Sequence, residues 1–292
     1  MNKGFIYVPE DERDYPVCMA YEDADNIEIP ENFTTSFQPP FAKQISSNCV
    51  AQTIANIMEV MYYNIMGRHE DFSVGFVYGN RDKGEFSGEG MYGYKACGHL
   101  CEDGNVKSAL FDNPCSAPSI IEAVNEFKAS YPNWKDEAYI PKFYVRTKNV
   151  DEVKKFIYKY NIPVMGIVES KHIGQILGGN YSHAMALYGW KGDKAIFQNS
   201  WGEDNKYRTP EIEFKKCTEF WLIMPFKIAE FVDLNSEHWA YHEILKCVED
   251  ELLLGYPDST FKPDKDITRA ELCVIIYRLL KSGKADTLIN SI

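Results

Sequence analysis

The sequence predicts an α+β fold followed by a small helix–loop–helix module. Three patterns carry this expectation. Apolar residues recur at helical spacing in the early chain, from Cys49 onward. Short apolar runs at 162–168, 184–188, 194–198 and 220–224 read as strands of a late antiparallel sheet. The segment 231–282 then returns to two helical stripes around a Gly-Tyr-Pro-Asp loop.

The chain has 292 residues, 45% hydrophobic and 25% charged, which suits one large domain and one small one. The expected division is an N-terminal extension at 1–27, a main domain at 28–226 and the small module at 231–282. A net charge of −12 argues against nonspecific nucleic-acid binding. No apolar stretch reaches the ~20 residues that span a bilayer. The opening Met1-Asn-Lys-Gly-Phe-Ile-Tyr-Val-Pro-Glu lacks an apolar core long enough for a signal peptide.

Taken in order, the extension is acidic and irregular, with Pro9-Glu-Asp-Glu-Arg-Asp14-Tyr. Ser46, Ser47 and Asn48 are good capping types before a helix that begins at Cys49. Val50, Ile54, Ile57, Met58 and Met61 form its stripe, and it runs to about Gly67. Gly84, Gly88, Gly90 and Gly93 make a glycine-rich stretch: either a backbone that approaches an extended peptide closely, or a flexible loop. Val153, Phe156 and Ile157 place a helix over 151–160. His183 opens one strand run, Tyr181-Ser182-His183-Ala-Met-Ala-Leu, and Asn199 follows the next, in Gln198-Asn199-Ser200-Trp201-Gly202.

The chemistry of these residues converges. Only the thiolate of a cysteine is a good nucleophile, and a helix N-terminus favours that anion. A histidine can take the thiol proton and return it to a leaving amine. An asparagine can orient the imidazole through its side-chain oxygen. Small Ala184 leaves room for a close partner beside His183. Each feature alone reads as inert core, a satisfied histidine or a packed turn. In this order they read as nucleophile, base and orienting amide.

The order Gln44, Cys49, His183, Asn199 resembles the papain-like cysteine peptidases. The resemblance implies a two-lobed fold, one lobe helical and the other an antiparallel, barrel-like sheet, with the cleft between them. It implies peptide-bond hydrolysis through a thioester acyl-enzyme, with no cofactor and no metal. Gln44 would donate to the oxyanion beside the Cys49 N–H. Trp201 would cover the His–Asn hydrogen bond. Gly88, Gly90, Met91, Ser182 and Trp201 would line the site of a peptide or protein substrate. Two departures stand out. Gln44 lies five residues before Cys49 where the family has six, and Val50 replaces the usual aromatic. The extension is too short for a family propeptide, and residues 15–20 are expected to touch the cleft. A transpeptidase or amidase on the same site, or a catalytically silent wall-binding protein, is the alternative reading.

Phe231-Val-Asp-Leu-Asn, His238-Trp-Ala, Gly255-Tyr-Pro-Asp and Ile267-Thr-Arg-Ala-Glu271 resemble, in that order, one S-layer homology motif. Ile244, Leu245 and Val248 form one stripe; Leu272, Ile275, Ile276 and Leu279 form the other. Thr268 with Glu271 three residues on is a capping box. Such motifs usually come in threes and hold secondary cell-wall polysaccharide. The resemblance thus implies a cell-surface or extracellular setting, with Arg269 as partner for an acidic sugar substituent. A single copy cannot bury a large core alone, so its apolar stripes would lean on the main domain or on copies of itself.

Eight cysteines show no regular framework. Cys247 and Cys273 read as reduced core. Cys97, His99, Cys101 and Cys115 read as a helix end rather than a zinc site. His238 and His242 read as surface residues.

Overall fold

The stripe that starts at Cys49 becomes α1 (Cys49–Met66), and Val50, Ile54, Ile57, Met58 and Met61 are all fully buried. The computed structural model of the chain describes residues 5–6, 27–81, 90–112, 119–173, 182–226, 231–249, 252–256 and 260–281. Apart from Ile65–Gly67, the chain divides after Phe226 into two compact units.

In the larger unit α1 is followed by α2 (Val74–Gly79), α3 (Gly93–Asp103) and α4 (Ser119–Ser130). The Ser73 hydroxyl caps α2 by accepting the Phe76 N–H at 3.0 Å. Phe76 meets Phe111 and Phe127 edge to face, and Trp134 lies tilted against it. Cys97 to Cys101 lie inside α3, with Cys97 buried, so this stretch is helix, and Cys115 lies outside the described residues. Downstream, α5 (Val150–Tyr160) is capped by the Asn149 side chain and closed by Asn161 at a left-handed φ of 53°. Its acidic first turn and basic last turn complement the helix dipole.

The sheet comprises β1 (Phe5–Ile6), β2 (Asn32–Thr34), β3 (Met91–Tyr92), β4 (Tyr144–Thr147), β5 (Val164–Glu169), β6 (Ser182–Lys191), β7 (Lys194–Gln198), β8 (Glu211–Glu213) and β9 (Cys217–Ile223). Its main path runs β3-β1-β6-β5-β9-β4, with β2 and β7 also on β6 and β8 on β7. The pairings are antiparallel except β1 with β3, which is parallel. The strand expected from Ile162 starts at Val164 instead, because Pro163 lacks the N–H a ladder needs. Gly189 is required where β2 crosses β6: an added Cβ would lie 2.0 Å from the Phe33 carbonyl oxygen. Between β4 and β9, the guanidinium of Arg146 bonds the fully buried carboxylate of Glu219, which also accepts the Trp221 indole N–H. A buried carboxylate satisfied on both oxygens in this way is tolerated.

β1 has the most bearing on the site. Phe5 pairs with Met91 on one side and with Ser182 on the other. Adjacent strands lie about 4.8 Å apart, so β3 and β6 flank a slot roughly 10 Å across that holds one extended chain.

In the smaller unit, α6 (Tyr241–Glu249) and α7 (Arg269–Lys281) form the two helices. Beyond the first, the Leu252 and Leu253 amides both fold back onto the Cys247 carbonyl, at 2.9 and 3.2 Å. The capping box forms: Thr268 N–H and hydroxyl reach Glu271 at 2.8 and 2.7 Å, and Glu271 N–H returns to the hydroxyl at 3.2 Å. Ile275 and Leu279 are half-buried, while Leu272 and Ile276 of the expected stripe are exposed. Cys273 is exposed and not core, since it faces outward on α7, and Cys247 is half-buried. His242 is exposed on α6, and His238 lies before it, half-buried.

Candidate active site

Cys49 is the first residue of α1, and its sulfur is fully buried. The N–H groups of Ala184 and Val50, and its own, face that sulfur. This arrangement is chemically apt. The first N–H groups of a helix have no partner within the helix. The expected cap does not form at Asn48, whose side-chain amide is buried without a hydrogen-bond partner. Only its carbonyl joins the helix, accepting from Gln52 N–H at 3.0 Å. Free N–H groups at a helix start are suited to an anion.

Ala184 is the neighbour of His183 on β6, so the sulfur sits against the strand that carries the histidine. His183 Nε2 lies 2.8 Å from Asn199 Oδ1. Which end of the Asn199 amide faces the ring is decided by its other bonds. Its Nδ2 donates to the Tyr207 carbonyl at 3.2 Å, and its Oδ1 accepts the Ser200 N–H at 2.8 Å. The oxygen therefore meets the imidazole, and Nε2 must carry the hydrogen. In the neutral ring that leaves Nδ1 as the basic nitrogen. The Trp201 ring lies 5.0 Å from the His183 ring, centroid to centroid, tilted by 35°.

Gln44 is drawn to the same place. Its backbone N–H donates to the Ser200 carbonyl at 2.8 Å, and its Oε1 accepts the Ser200 hydroxyl. One hydrogen of Nε2 goes to the Ser46 carbonyl at 2.9 Å, and the amide has a second to give. Lys43 bridges to Trp201, which ties this loop to the Asn199 segment. Gly90, Met91 and Ser182 are at the slot: Met91 and Ser182 pair with the main chain of Phe5. Gly88 and residues 15–20 lie outside the described residues.

Burial dominates the electrostatics. It pushes the Cys49 thiol up to about 11, against the lowering effect of the surrounding N–H groups. It pulls His183 down to about 4, against the raising effect of the Asn199 bond. At rest Cys49 is thus a thiol and His183 a neutral imidazole.

The sequence pattern misses three contributors. The Tyr207 carbonyl arrives through a turn anchored by the Asn205 side chain, which motif spacing does not reveal. The Ala184 N–H depends on β6 lying across the start of α1. β1 was signalled only by the apolar run Phe5-Ile-Tyr-Val.

In the smaller unit an open groove of about 540 Å³ is lined by Tyr256, the basic Lys262, Lys265 and Arg278 and the acidic Asp266 and Glu271, among apolar residues. Arg269 is exposed at the start of α7 and is not among its lining residues. Among the described residues, no helix is long and apolar enough to cross a membrane.

The fold is that of the papain-like cysteine proteases. Xylellain, a cysteine protease from Xylella fastidiosa, matches at a TM-score of 0.58 and 17% identity, over 77% of this chain and 97% of its own. Procathepsin B S9 from Trypanosoma congolense matches at 0.53 and 15% identity, over 70% of this chain and 80% of its own. Residues 230–273 match the S-layer homology domain. Over 57 residues there the chain is 49% identical to a cellulosome-anchoring protein of Acetivibrio thermocellus, covering 19% of this chain and 13% of that protein. The chain therefore joins a papain-like fold to an S-layer homology segment.

The histidine shift sets a pH dependence of stability. In the unfolded chain His183 takes its proton near pH 6.5; in the folded chain it does so only near 4. As pH falls through this window the unfolded state binds the proton first. Stability present above 6.5 is therefore lost toward 4, by up to about 3 kcal/mol. Urea titrations between these pH values should show that loss, and His183→Gln should flatten it. An unchanged slope in the variant would contradict the buried neutral imidazole.

Proposed function

We propose that the chain is a cysteine endopeptidase acting through Cys49, His183 and Asn199. The observation that carries the reading is the His183–Asn199 bond, with its fixed direction, beside a helix-start cysteine. His183 Nδ1 takes the Cys49 thiol proton, and the sulfur attacks the substrate carbonyl. The oxyanion is held by the Cys49 N–H and the remaining N–H of Gln44. The imidazolium then protonates the leaving amine, and water hydrolyses the thioester. An extended peptide takes the slot between Met91 and Ser182. In the intact chain β1 holds that slot and restrains activity.

Cys49→Ala should abolish peptide turnover and iodoacetamide labelling at that position. Gln44→Ala should lower kcat ~10²–10³-fold with little change in KM. A chain beginning at Ile27 should label faster than the full one. Wild-type turnover in the Cys49→Ala protein would sink the reading, and equal labelling rates would remove the restraint.

The small unit is proposed to hold secondary cell-wall polysaccharide and so keep the enzyme at the cell surface. The S-layer homology match supports this, and Arg269, with Lys262, Lys265 and Arg278 of the groove, would meet acidic sugar substituents. The exposed Leu272, Ile276, Tyr277 and Leu280 also support self-association. The full chain should sediment with purified Gram-positive cell walls and scatter light as an oligomer; a chain ending at Phe226 should do neither. A full chain that stays monomeric refutes self-association, and one that fails to sediment refutes anchoring.

A further inference from the structure

Gly90, the residue before β3, is gripped by two buried side chains. Arg81 Nη1 donates to the Gly90 carbonyl at 2.8 Å. Gly90 N–H donates to the Tyr78 hydroxyl at 3.1 Å. The Arg81 guanidinium carbon lies 3.9 Å from the Tyr78 ring centroid, so the two side chains brace one another. Tyr78 is fully buried and Arg81 is 5% exposed. Both main-chain polar groups of Gly90 are therefore bonded to side chains. Its φ of 110° is one that other residues adopt only with strain.

A buried guanidinium is a costly way to fill space. Here it supplies a charged donor aimed at one carbonyl, and charge-assisted hydrogen bonds are the strong ones. The residue after Gly90 is Met91, whose main chain forms the far wall of the slot. Rotation at Gly90 would turn the polar edge of β3 away from any chain lying there. The reacting groups stand on other elements: Cys49 on α1, His183 on β6, Asn199 after β7.

We propose that Arg81 and Tyr78 are positioning residues, which fix Gly90 and so hold the Met91–Tyr92 edge one strand away from Ser182, where it can pair with the main chain of an extended peptide. This rests on the peptidase reading above and names the residues that set its affinity for peptide backbone. Losing the clamp weakens binding of the chain in the slot and leaves the chemistry alone.

The test uses the full chain with Arg81→Met, Arg81→Lys and Tyr78→Phe, and two readouts. In peptide turnover, Arg81→Met raises KM ~10-fold with kcat held within ~2-fold, and Arg81→Lys recovers part of the loss. Iodoacetamide, which needs no strand pairing, labels Cys49 at least as fast as in the wild type, because the loosened β3 edge also weakens its hold on β1. In amide hydrogen exchange, residues 90–92 exchange faster in all three variants, while the β5–β6 ladder keeps its protection. Tyr78→Phe removes a single hydroxyl and serves if Arg81→Met fails to fold. Unchanged exchange at 90–92 overturns the proposal, as does a fall in kcat at constant KM or a uniform loss of protection. If the wild type turns over no peptide, the peptidase reading fails and the exchange readout still decides the clamp.

Discussion

The side-chain amide of Asn199 has two chemically opposite ends, and the loop around it leaves only the oxygen free to meet His183. The tautomer of the histidine depends on that orientation, and so does the nitrogen that can act as a base. The Trp201 ring and the Lys43 bridge stand over the same segment, so the loop that sets the amide also draws in Gln44. A reversed amide would place a donor against Nε2 and move the ring hydrogen to Nδ1.

The second constraint is dryness. Cys49 and His183 are buried almost completely, and burial outweighs each favourable hydrogen bond in setting their protonation. Such a pair is quiet until something changes its surroundings. The slot between β3 and β6 offers the means, because whatever chain lies there passes beside Ser182 and thus beside the histidine. Holding a chain by main-chain bonds on both edges is sequence-tolerant.

Much of the architecture was legible because its determinants are local. The α1 stripe, the strand runs from 162 onward and the Thr268–Glu271 box are written in residues a few positions apart, and each forms. The departures come from contacts that spacing does not encode. Asn48 has the type of a cap, yet its side chain makes no hydrogen bond, and the Val50 N–H within its reach faces the Cys49 sulfur instead. Within the α7 stripe, Ile275 and Leu279 are half-buried while Leu272 and Ile276 are exposed, a division that periodicity alone does not assign. At the site, the residue types and their order could be read from the motifs. The groups that hold them could not: the Tyr207 carbonyl, the Ser200 hydroxyl and the Ala184 N–H are brought in by loop closure and strand crossing.

The central claim is that Asn199 presents its oxygen to His183 and leaves Nδ1 to receive the Cys49 proton. Nitrogen-15 NMR of the His183 ring in the full chain at neutral pH tests it most directly. The expected result is a neutral ring with the hydrogen on Nε2 and a bare Nδ1, a state that Asn199→Ala should scramble. A ring carrying its hydrogen on Nδ1, with Nε2 bare, would contradict it.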